Sequence, residues 1–366
     1  MDNYVDFLNQ YKQRKSVDYY DVVSIIYAAD VHYYNNHLNY YSDQPPPIED
    51  LVIYPPPTIH TIDVSLKSIT DLISVIDKTP LITNTIYNIN LAALHRIRSE
   101  LVELNNMVGM TSMKQSVLHQ LIYYIQDLHT AGDFKHTIIC GPPGTGKTEI
   151  SKIIGRMYAK AGILRKNVFK KVTRTDLVGG YLGQTALKTR KVIDECMGGC
   201  LFIDEAYSLG DDDIYSKECV DTLCEALGDH KDDLMVIVAG YNDELNHTLF
   251  RVNSGLKSRF MWKFNIDDYS PLEIMHIFEK KVLAAGWTAN CLTTQWFEKR
   301  ATSFKYFGRD AELLFSHVKI CHSTRIFGKD LSLRKNITIE DLDDGFSVFL
   351  ENSKETSDPS KLSYYL

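Results

Sequence analysis

The middle of the chain alternates short apolar runs with segments in which apolar residues recur at helical spacing. Cys200–Ile203 and residues 234–239 are continuously apolar, which is typical of strands buried on both faces of a parallel sheet. Thr137–Cys140 forms another strand pattern, and residues 168–172 alternate as a strand does. Between these strands, residues 150–157 carry apolar side chains at helical spacing. The pattern predicts a doubly wound α/β domain with a parallel sheet.

The same pattern divides the chain into four segments. Strands alternate with helices as far as about Asp268, and Ser270 followed by Pro271 has the composition of a helix N-cap and first turn. Beyond this point the pattern is mostly helical. We expect a mostly helical N-terminal region of unassigned role at residues 1–100, a large α/β domain at 101–268, a small helical domain at 269–350 and a flexible polar tail at 351–366.

The N-terminal region differs from the rest in composition. Tyrosines crowd its first half, and the proline triplets at residues 45–47 and 55–57 favour extended polyproline II structure. Apolar residues at helical spacing predict a short helix that begins near Leu66 and stops before Pro80. These patterns carry no chemistry. They suit either a packing appendage or a surface that docks a client.

Composition narrows the class of protein. The chain has 366 residues, of which 44% are apolar and 24% charged, as is ordinary for a globular protein. A net charge of −7 argues weakly against a sequence-independent nucleic-acid binder, which normally presents a basic surface. The seven cysteines form no Cys-x-x-Cys pair, so they predict reduced core thiols in an intracellular protein, and neither a disulfide framework nor a zinc site.

Two further features concern location. No apolar run approaches the roughly 18 residues of a membrane span, and the first residues lack the pattern of a signal peptide. We therefore expect a soluble, cytoplasmic protein without membrane contact. The many Tyr, Ile and Asn residues are typical of an AT-rich genome, such as that of a large DNA virus.

A glycine-rich loop follows the first strand pattern. Its residues are Gly141, Pro142, Pro143, Gly144, Thr145, Gly146, Lys147 and Thr148. The glycines let successive backbone N–H groups point at phosphate oxygens, and the start of the following helix favours an anion. Lys147 supplies a positive charge to the outer phosphates, and the Thr148 hydroxyl is a ligand for Mg²⁺. Because a strand precedes it and a helix follows it, the loop predicts a nucleoside triphosphate site rather than a chance glycine turn.

Two acidic residues close a buried strand pattern downstream. Asp204 and Glu205 directly follow Cys200–Ile203, at the edge of the sheet where α/β proteins bind ligands. Asp204 is a candidate to complete the Mg²⁺ shell with Thr148. Glu205 is a candidate general base for the attacking water, a role worth about 10²–10⁴ in rate. An isolated Asp-Glu pair is often a surface feature, but this one lies downstream of a phosphate loop.

Several ordered motifs together resemble a known family. The phosphate loop and the Asp204-Glu205 box resemble those of AAA+ ATPases. In more detail, the sequence at residues 176–186, 198–209, 239–241 and 255–260 resembles that of the CbxX/CfxQ group, to which red-type rubisco activases belong. The resemblance covers about residues 100–350 and does not extend to the first hundred residues. It implies a ring hexamer with ATP at the interfaces between subunits.

The resemblance also implies roles for individual residues. Arg259, which by itself is a surface cation or half of an ion pair, resembles an arginine finger that reaches the neighbour's site. In other nucleotide hydrolases such a finger is worth about 10³–10⁵ in rate. The other implied assignments are a pore loop that grips a threaded polypeptide (Tyr181, Leu182 and Gly183), an element lining the adenine pocket (Val108 and Gly109) and a second sensor (Arg309).

Two positions depart from the pattern of the family. Relatives often place a polar sensor at the end of a strand where this chain has Tyr241 and Asn242. Either residue could serve, and Asn242 is slightly preferred. Gly180 stands where members of the group commonly carry an acidic residue before the pore tyrosine, which loosens the loop.

Three functions are compatible with these residues. The leading hypothesis is an ATP-hydrolysing protein remodeller or translocase, whose client is open because a shared fold does not fix the client. The alternative is a nucleic-acid motor or loader. The acidic net charge and the aromatic pore loop argue against it, while Lys170, Lys171 and Arg174 weaken that objection. A nucleotide-gated scaffold without turnover is disfavoured by the complete set of catalytic residues.

Overall fold

The computed structural model of the chain describes residues 56–130, 132–181 and 183–355, which form two units. The described part of the first unit is residues 56–62 and 81–88. There, β1 (Thr58–His60) and β2 (Thr85–Tyr87) pair in parallel. The second unit contains residues 63–80 and the chain from residue 89 onward. The tyrosine-rich segment and both proline triplets of the sequence analysis lie outside the described residues, except for residues 56 and 57.

A five-stranded parallel sheet forms the centre of the described part of the second unit. Its strands are β3 (Thr137–Cys140), β4 (Phe169–Val172), β5 (Cys200–Ile203), β6 (Met235–Gly240) and β7 (Trp262–Asn265), in the order β4-β5-β6-β3-β7. All neighbouring strands are parallel. The sheet confirms the predicted doubly wound α/β fold. The sequence pattern did not single out β7, because this edge strand alternates around one buried residue, Phe264.

Helices surround the sheet. In chain order up to β7 they are α1 (Ile69–Lys78), α2 (Leu91–Arg96), α3 (Arg98–Asn105), α4 (Thr111–Ile125), α5 (Lys147–Ala161), α6 (Arg174–Leu177), α7 (Gln184–Cys196), α8 (Ile214–Asp229), α9 (Asn242–His247), α10 (Leu249–Val252) and α11 (Ser254–Ser258), with a 3₁₀ turn at Ala206–Gly210. The predicted helix before Pro80 is α1. Ser68 caps it and exchanges hydrogen bonds with Asp71 in a capping box.

The sheet is buried on both faces, as its continuous apolar strands predict. Successive side chains of a strand point to opposite faces, so Ile138 and Leu201 lie in one core cluster and Ile139 and Phe202 in the other. Residues of α7 and α8 contribute to the first cluster, and residues of α1, α3, α4 and α5 contribute to the second. The seven cysteines, all within the described residues, are free thiols, and five of them are buried as expected of core positions.

The chain after β7 is helical. Its helices are α12 (Pro271–Ala284), α13 (Thr294–Glu298), α14 (Phe307–Arg325) and α15 (Ile339–Glu355), with 3₁₀ turns at Ala301–Ser303 and Leu331–Leu333. The predicted N-cap is present, because Ser270 and Glu273 form a capping box around Pro271. α15 includes residues 351–355, where the sequence predicted the beginning of a tail. Residues 356–366 lie outside the described residues.

Candidate nucleotide-binding site

A cavity of about 230 Å³ lies at the edge of the sheet where β3, β5 and β6 end. Its lining consists of Pro143, Gly144, Thr145, Gly146, Lys147, Thr148, Glu149, Asp204, Glu205, Tyr207, Gly240, Tyr241 and Arg309. The carboxyl ends of parallel strands are the edge at which α/β proteins bind ligands. The fold therefore brings together most of the predicted phosphate loop, both predicted acids and the predicted second sensor.

The backbone of the loop requires glycine at Gly144. Gly144 has φ +76°, in the left-handed region that L side chains rarely adopt. A Cβ atom there would also lie 2.0 Å from the carbonyl oxygen of Tyr306. Gly146, with φ +85°, is the N-cap of α5, which begins at Lys147. The positive end of α5, with its free backbone N–H groups, therefore lies at the cavity.

Lys147 lies over the loop that it follows. Its Nζ donates hydrogen bonds to the carbonyl oxygens of Gly141 and Pro142, at 2.8 and 2.7 Å. It also lies 5.8 Å from the ring centroid of Tyr241. Burial lowers the pKa of Lys147, and the negative charge of Asp204 opposes that shift. The ammonium is thus already positioned beside the surface on which a phosphate would lie.

The two acids stand at the end of β5. The backbone N–H of Asp204 donates to the carbonyl oxygen of Val172 in the neighbouring strand, at 2.9 Å. Glu205 adopts a left-handed backbone conformation, with φ 51° and ψ 43°, that non-glycine residues rarely take. Such conformations are concentrated at functional sites. Thr148 and Asp204 line the same cavity, and a hydroxyl and a carboxylate are oxygen ligands of the kinds that suit Mg²⁺.

The start of α14 contacts the loop directly. The Gly308 N–H donates to the carbonyl oxygen of Gly144 at 3.2 Å, and the next residue, Arg309, lines the cavity. The Asp310 carboxylate accepts the N–H of Tyr306 at 2.6 Å, and burial raises the pKa of Asp310. The helical part after β7 therefore reaches the cavity through both backbone and side chain.

The turn that carries Val108 and Gly109 borders the loop without lining the cavity. Gly109 has φ +63°, and a Cβ atom there would lie 2.3 Å from a carboxylate oxygen of Glu273 in α12. The neighbouring Met107 contacts the loop, because its Cε lies 3.4 Å from the position of a Cβ on Gly146. The turn thus lies between the phosphate loop and the first helix after β7.

The two sensor candidates have different surroundings. Tyr241 lines the cavity, whereas the Asn242 side chain accepts a hydrogen bond from Lys263 of β7 at 2.6 Å. Of the two candidates, Tyr241 lines the cavity, and Asn242, which the sequence analysis slightly preferred, does not. Tyr207 also lines the cavity, with its ring centroid 6.1 Å from that of Tyr241. The sequence analysis did not select Tyr207, although it follows the two acids by only two positions.

Arg259 lies away from the cavity of its own chain. Its Nη1 donates to the carbonyl oxygen of Gly255 at 2.7 Å, and its guanidinium packs against Gly228 at the end of α8. Its Nε is buried and has no hydrogen-bond partner among the described residues. The structure does not bring Arg259 together with Glu205, so an action of Arg259 on a nucleotide would involve a site other than the one beside it in the chain.

The predicted pore loop is exposed. Tyr181 is 74% exposed, and Gly183 has φ +79° with open space around it. Leu182 lies outside the described residues. The loop is anchored behind these residues, since the Gly179 N–H donates to the Thr185 hydroxyl at 3.0 Å.

Known proteins are similar to this chain over the region of the site. The family model described as "ATPase family associated with various cellular activities (AAA)" matches residues 137–264. A cfxQ-like protein of Acanthamoeba polyphaga mimivirus is 40% identical over 279 residues, which are 74% of this chain and 69% of that protein. Stage V sporulation protein K of Bacillus subtilis is 36% identical over 200 residues, or 52% of this chain and 62% of that protein.

Other relatives match over a smaller part of their length. The ESX-1 secretion system protein EccA1 of Mycobacterium tuberculosis is 37% identical over 196 residues, which are 50% of this chain and 34% of EccA1. This chain therefore spans about a third of the length of EccA1. Among solved structures, a mutant of RuvB from Thermotoga maritima has a TM-score of 0.50 at 18% identity, covering 67% of this chain and 71% of that chain. The likeness to RuvB shows a shared fold alone.

The comparisons and the geometry agree on the class of protein. In the described part of the chain, no helix has the length and apolar character that crossing a membrane needs. The mimivirus relative fits the viral origin that the composition suggested. A parallel α/β sheet, a phosphate loop at its edge and 40% identity to a cfxQ-like protein support one conclusion. The chain belongs to the AAA family of ATPases and, within that family, to the CfxQ-like proteins.

Proposed function

We propose that the chain binds ATP with Mg²⁺ and hydrolyses it to ADP and phosphate. The observation that carries this proposal is that Lys147, Asp204, Glu205 and Arg309 line one cavity at the edge of the sheet. These residues come from the start of α5, the end of β5 and α14. They supply the charges and the proton acceptor that phosphoryl transfer needs.

Each of these residues has a task that its position supports. The Lys147 ammonium would exchange its two carbonyl acceptors for phosphate oxygens. Mg²⁺, when held by Thr148 and Asp204, supplies positive charge to the outer phosphates. Glu205 would orient a water toward the terminal phosphate and accept its proton. Arg309 would hold the phosphates from the side of α14.

We further propose that a second copy of the chain completes the site, in a ring that we expect to be a hexamer. Two observations support this step. Arg259 lies outside the cavity of its own chain, and its buried Nε lacks a hydrogen-bond partner among the described residues. A guanidinium whose donors its own chain does not fully use is suited, once its side chain turns outward, to neutralise charge on a phosphoryl group in a neighbouring subunit.

The proposed work of the ring is to remodel a polypeptide. Tyr181 presents an aromatic ring that is 74% exposed. A planar ring can pack against an extended chain without reading its sequence. The relatives include a protein of a secretion system and a sporulation protein, so similar chains serve different processes.

Glu205→Gln tests the hydrolytic part of the proposal. The variant should bind ATP and lose at least about a hundredfold in turnover, since the amide cannot accept the proton. Glu298→Gln, an exposed substitution on α13, is the matched control and should hydrolyse ATP at the wild-type rate. Turnover that is unchanged in Glu205→Gln would contradict the role of Glu205.

Stimulation by polymers tests the remodelling part. An unfolded polypeptide should raise the ATPase rate of the wild type, and Tyr181→Ala should reduce that stimulation while leaving the basal rate intact. Leu187→Ala is the matched control, because Leu187 is 72% exposed and lies on α7 outside the loop. Salt-sensitive stimulation by DNA and none by a polypeptide would instead favour a nucleic-acid motor.

A further inference from the structure

Asp204 is paired with a cation that does not belong to the phosphate loop. The Nζ of Lys171 lies 2.6 Å from Asp204 Oδ2. The other carboxylate oxygen, Oδ1, accepts the backbone N–H of Glu205 at 3.2 Å. Lys147, by contrast, donates to the carbonyl oxygens of its own loop. Lys171 is thus the ammonium in direct contact with the carboxylate that we propose for Mg²⁺.

The order of the strands creates this contact. β4 is an edge strand beside β5, with Lys171 in register with Phe202 and with Asp204 bonded to the last residue of β4. Successive side chains of a strand point to opposite faces. The preceding residue, Lys170, accordingly pairs with Glu195 of α7 and not with Asp204. Two adjacent lysines of one strand therefore have separate carboxylate partners.

We propose that Lys171 is a built-in counter-ion of Asp204 that competes with Mg²⁺ and raises the Mg²⁺ concentration at which the site binds nucleotide tightly. The inference rests on the proposed MgATP site. A carboxylate oxygen in an ion pair with an ammonium has less net negative charge to offer to a metal ion or its bound water. The Lys171 side chain is 44% exposed and that of Asp204 is 20% exposed, so water weakens the pair. The competition should weaken Mg²⁺ affinity about two- to fivefold, which is the fold-change that corresponds to the free energy of a partly exposed ion pair.

The test measures nucleotide binding as a function of Mg²⁺ concentration. Fluorescence of N-methylanthraniloyl-ATP is titrated against the full chain at a series of Mg²⁺ concentrations, and the Mg²⁺ midpoint is compared between variants. Lys171→Met should lower the midpoint by about two- to fivefold. Lys171→Arg keeps the charge and should stay near the wild-type midpoint. Lys170→Met is the matched control from the same strand and should leave the midpoint unchanged.

A double-mutant cycle makes the assignment specific to Asp204. In an Asp204→Asn background, Lys171→Met should no longer shift the midpoint, because the carboxylate for which Lys171 competes is gone. An unchanged or raised midpoint in Lys171→Met would overturn the inference, as would an equal shift in Lys170→Met. A wild type that binds MgATP but never responds to a polypeptide would refute the remodelling proposal and leave this inference standing. A wild type that binds no nucleotide at any Mg²⁺ concentration would refute both.

Discussion

Replacement of Asp341 by asparagine should destabilise the helical part after β7, because this carboxylate is the centre of a buried charge cluster. Asp341 is 1% exposed. It accepts two hydrogen bonds from the Arg325 guanidinium, at 2.6 and 2.8 Å. It also accepts the Thr338 N–H at 2.9 Å and lies 2.9 Å from His322 Nδ1. The cluster ties α14 to the first turn of α15.

The expected loss is about 3 kcal/mol in the free energy of unfolding. Removal of one partner from a buried ion pair costs about 3–5 kcal/mol, because the remaining charge stays buried. An asparagine keeps the shape and one acceptor oxygen but turns an amide donor toward Arg325 or His322. Arg325 is 22% exposed, so water can solvate part of the orphaned guanidinium. The lower end of the range applies for this reason.

The contribution of Asp341 to stability should decrease as the pH is lowered. Burial raises the pKa of Asp341, but the hydrogen bonds from Arg325, Thr338 and His322 outweigh burial and hold the pKa well below its usual range. A carboxyl whose pKa is lowered by folding stabilises the fold above its unfolded pKa, which is about 3.9. That stabilisation is lost as the pH falls below this value. The difference between wild type and Asp341→Asn should therefore shrink as the pH is lowered from 7 toward 3.

Urea unfolding at pH 7 and pH 3, followed by far-UV circular dichroism, measures both effects. Asp344→Asn is the matched control, since Asp344 is an exposed residue of the same helix. It should change stability by no more than about 0.5 kcal/mol. A loss below about 1 kcal/mol in Asp341→Asn at pH 7, or an equal loss in the control, would refute the reasoning about the buried cluster.

Two further predictions concern the cavity. Gly144→Ala should lower stability by about 1–2 kcal/mol through its left-handed backbone alone, and its Cβ would also meet the Tyr306 carbonyl oxygen at 2.0 Å. Differential scanning fluorimetry and ATP calorimetry should show a lower melting temperature and weaker binding, whereas wild-type values in both would contradict the close packing. Arg174→Ala should slow hydrolysis more than it weakens ATP binding, because Arg174 holds the turn Ala206–Gly210 that directly follows Glu205. Its guanidinium donates to the Ser208 carbonyl oxygen of this turn and to Asp213, both at 2.7 Å. Steady-state kinetics checks this prediction, with Arg174→Lys as partial rescue, and a purely KM effect would count against it.

The parts of the site that are contiguous in sequence could be predicted from it. The phosphate loop lies between a strand and a helix, and the two acids end an apolar run, so local pattern was sufficient for both. Arg309 needed the resemblance to AAA+ proteins. The contact between Gly308 and Gly144, which brings Arg309 to the cavity, joins residues far apart in the chain and leaves no local signal.

The sequence does not reveal which strands lie side by side or which side chains meet across them. The resemblance left Tyr241 and Asn242 open as sensors, and the hydrogen bond from Lys263 of the edge strand β7 to the Asn242 side chain has no local signal in the sequence. The pairing of Lys171 with Asp204 depends on β4 lying beside β5. Periodicity reveals which positions of an element are buried, but it does not reveal which element covers them.

The grouping of the early helices illustrates the same limit. The sequence showed an apolar stripe for the helix before Pro80, and we assigned residues 1–100 to a separate N-terminal region. In the structure, Leu72 of α1 and Leu101 of α3 lie in the same core cluster as Ile150 of α5. The partner of an amphipathic face is a long-range property, and single-sequence patterns do not contain it.

The ATPase rate of mixed variants tests most directly whether two copies of the chain build one site. Glu205→Gln retains Arg259, and Arg259→Ala retains Glu205, so each variant alone should be nearly inactive. After the two are mixed, a subunit with Glu205 can face a neighbour with Arg259. Random assembly of equal amounts in a ring should restore about a quarter of the wild-type rate. A mixture no more active than the average of its two components would contradict the shared site.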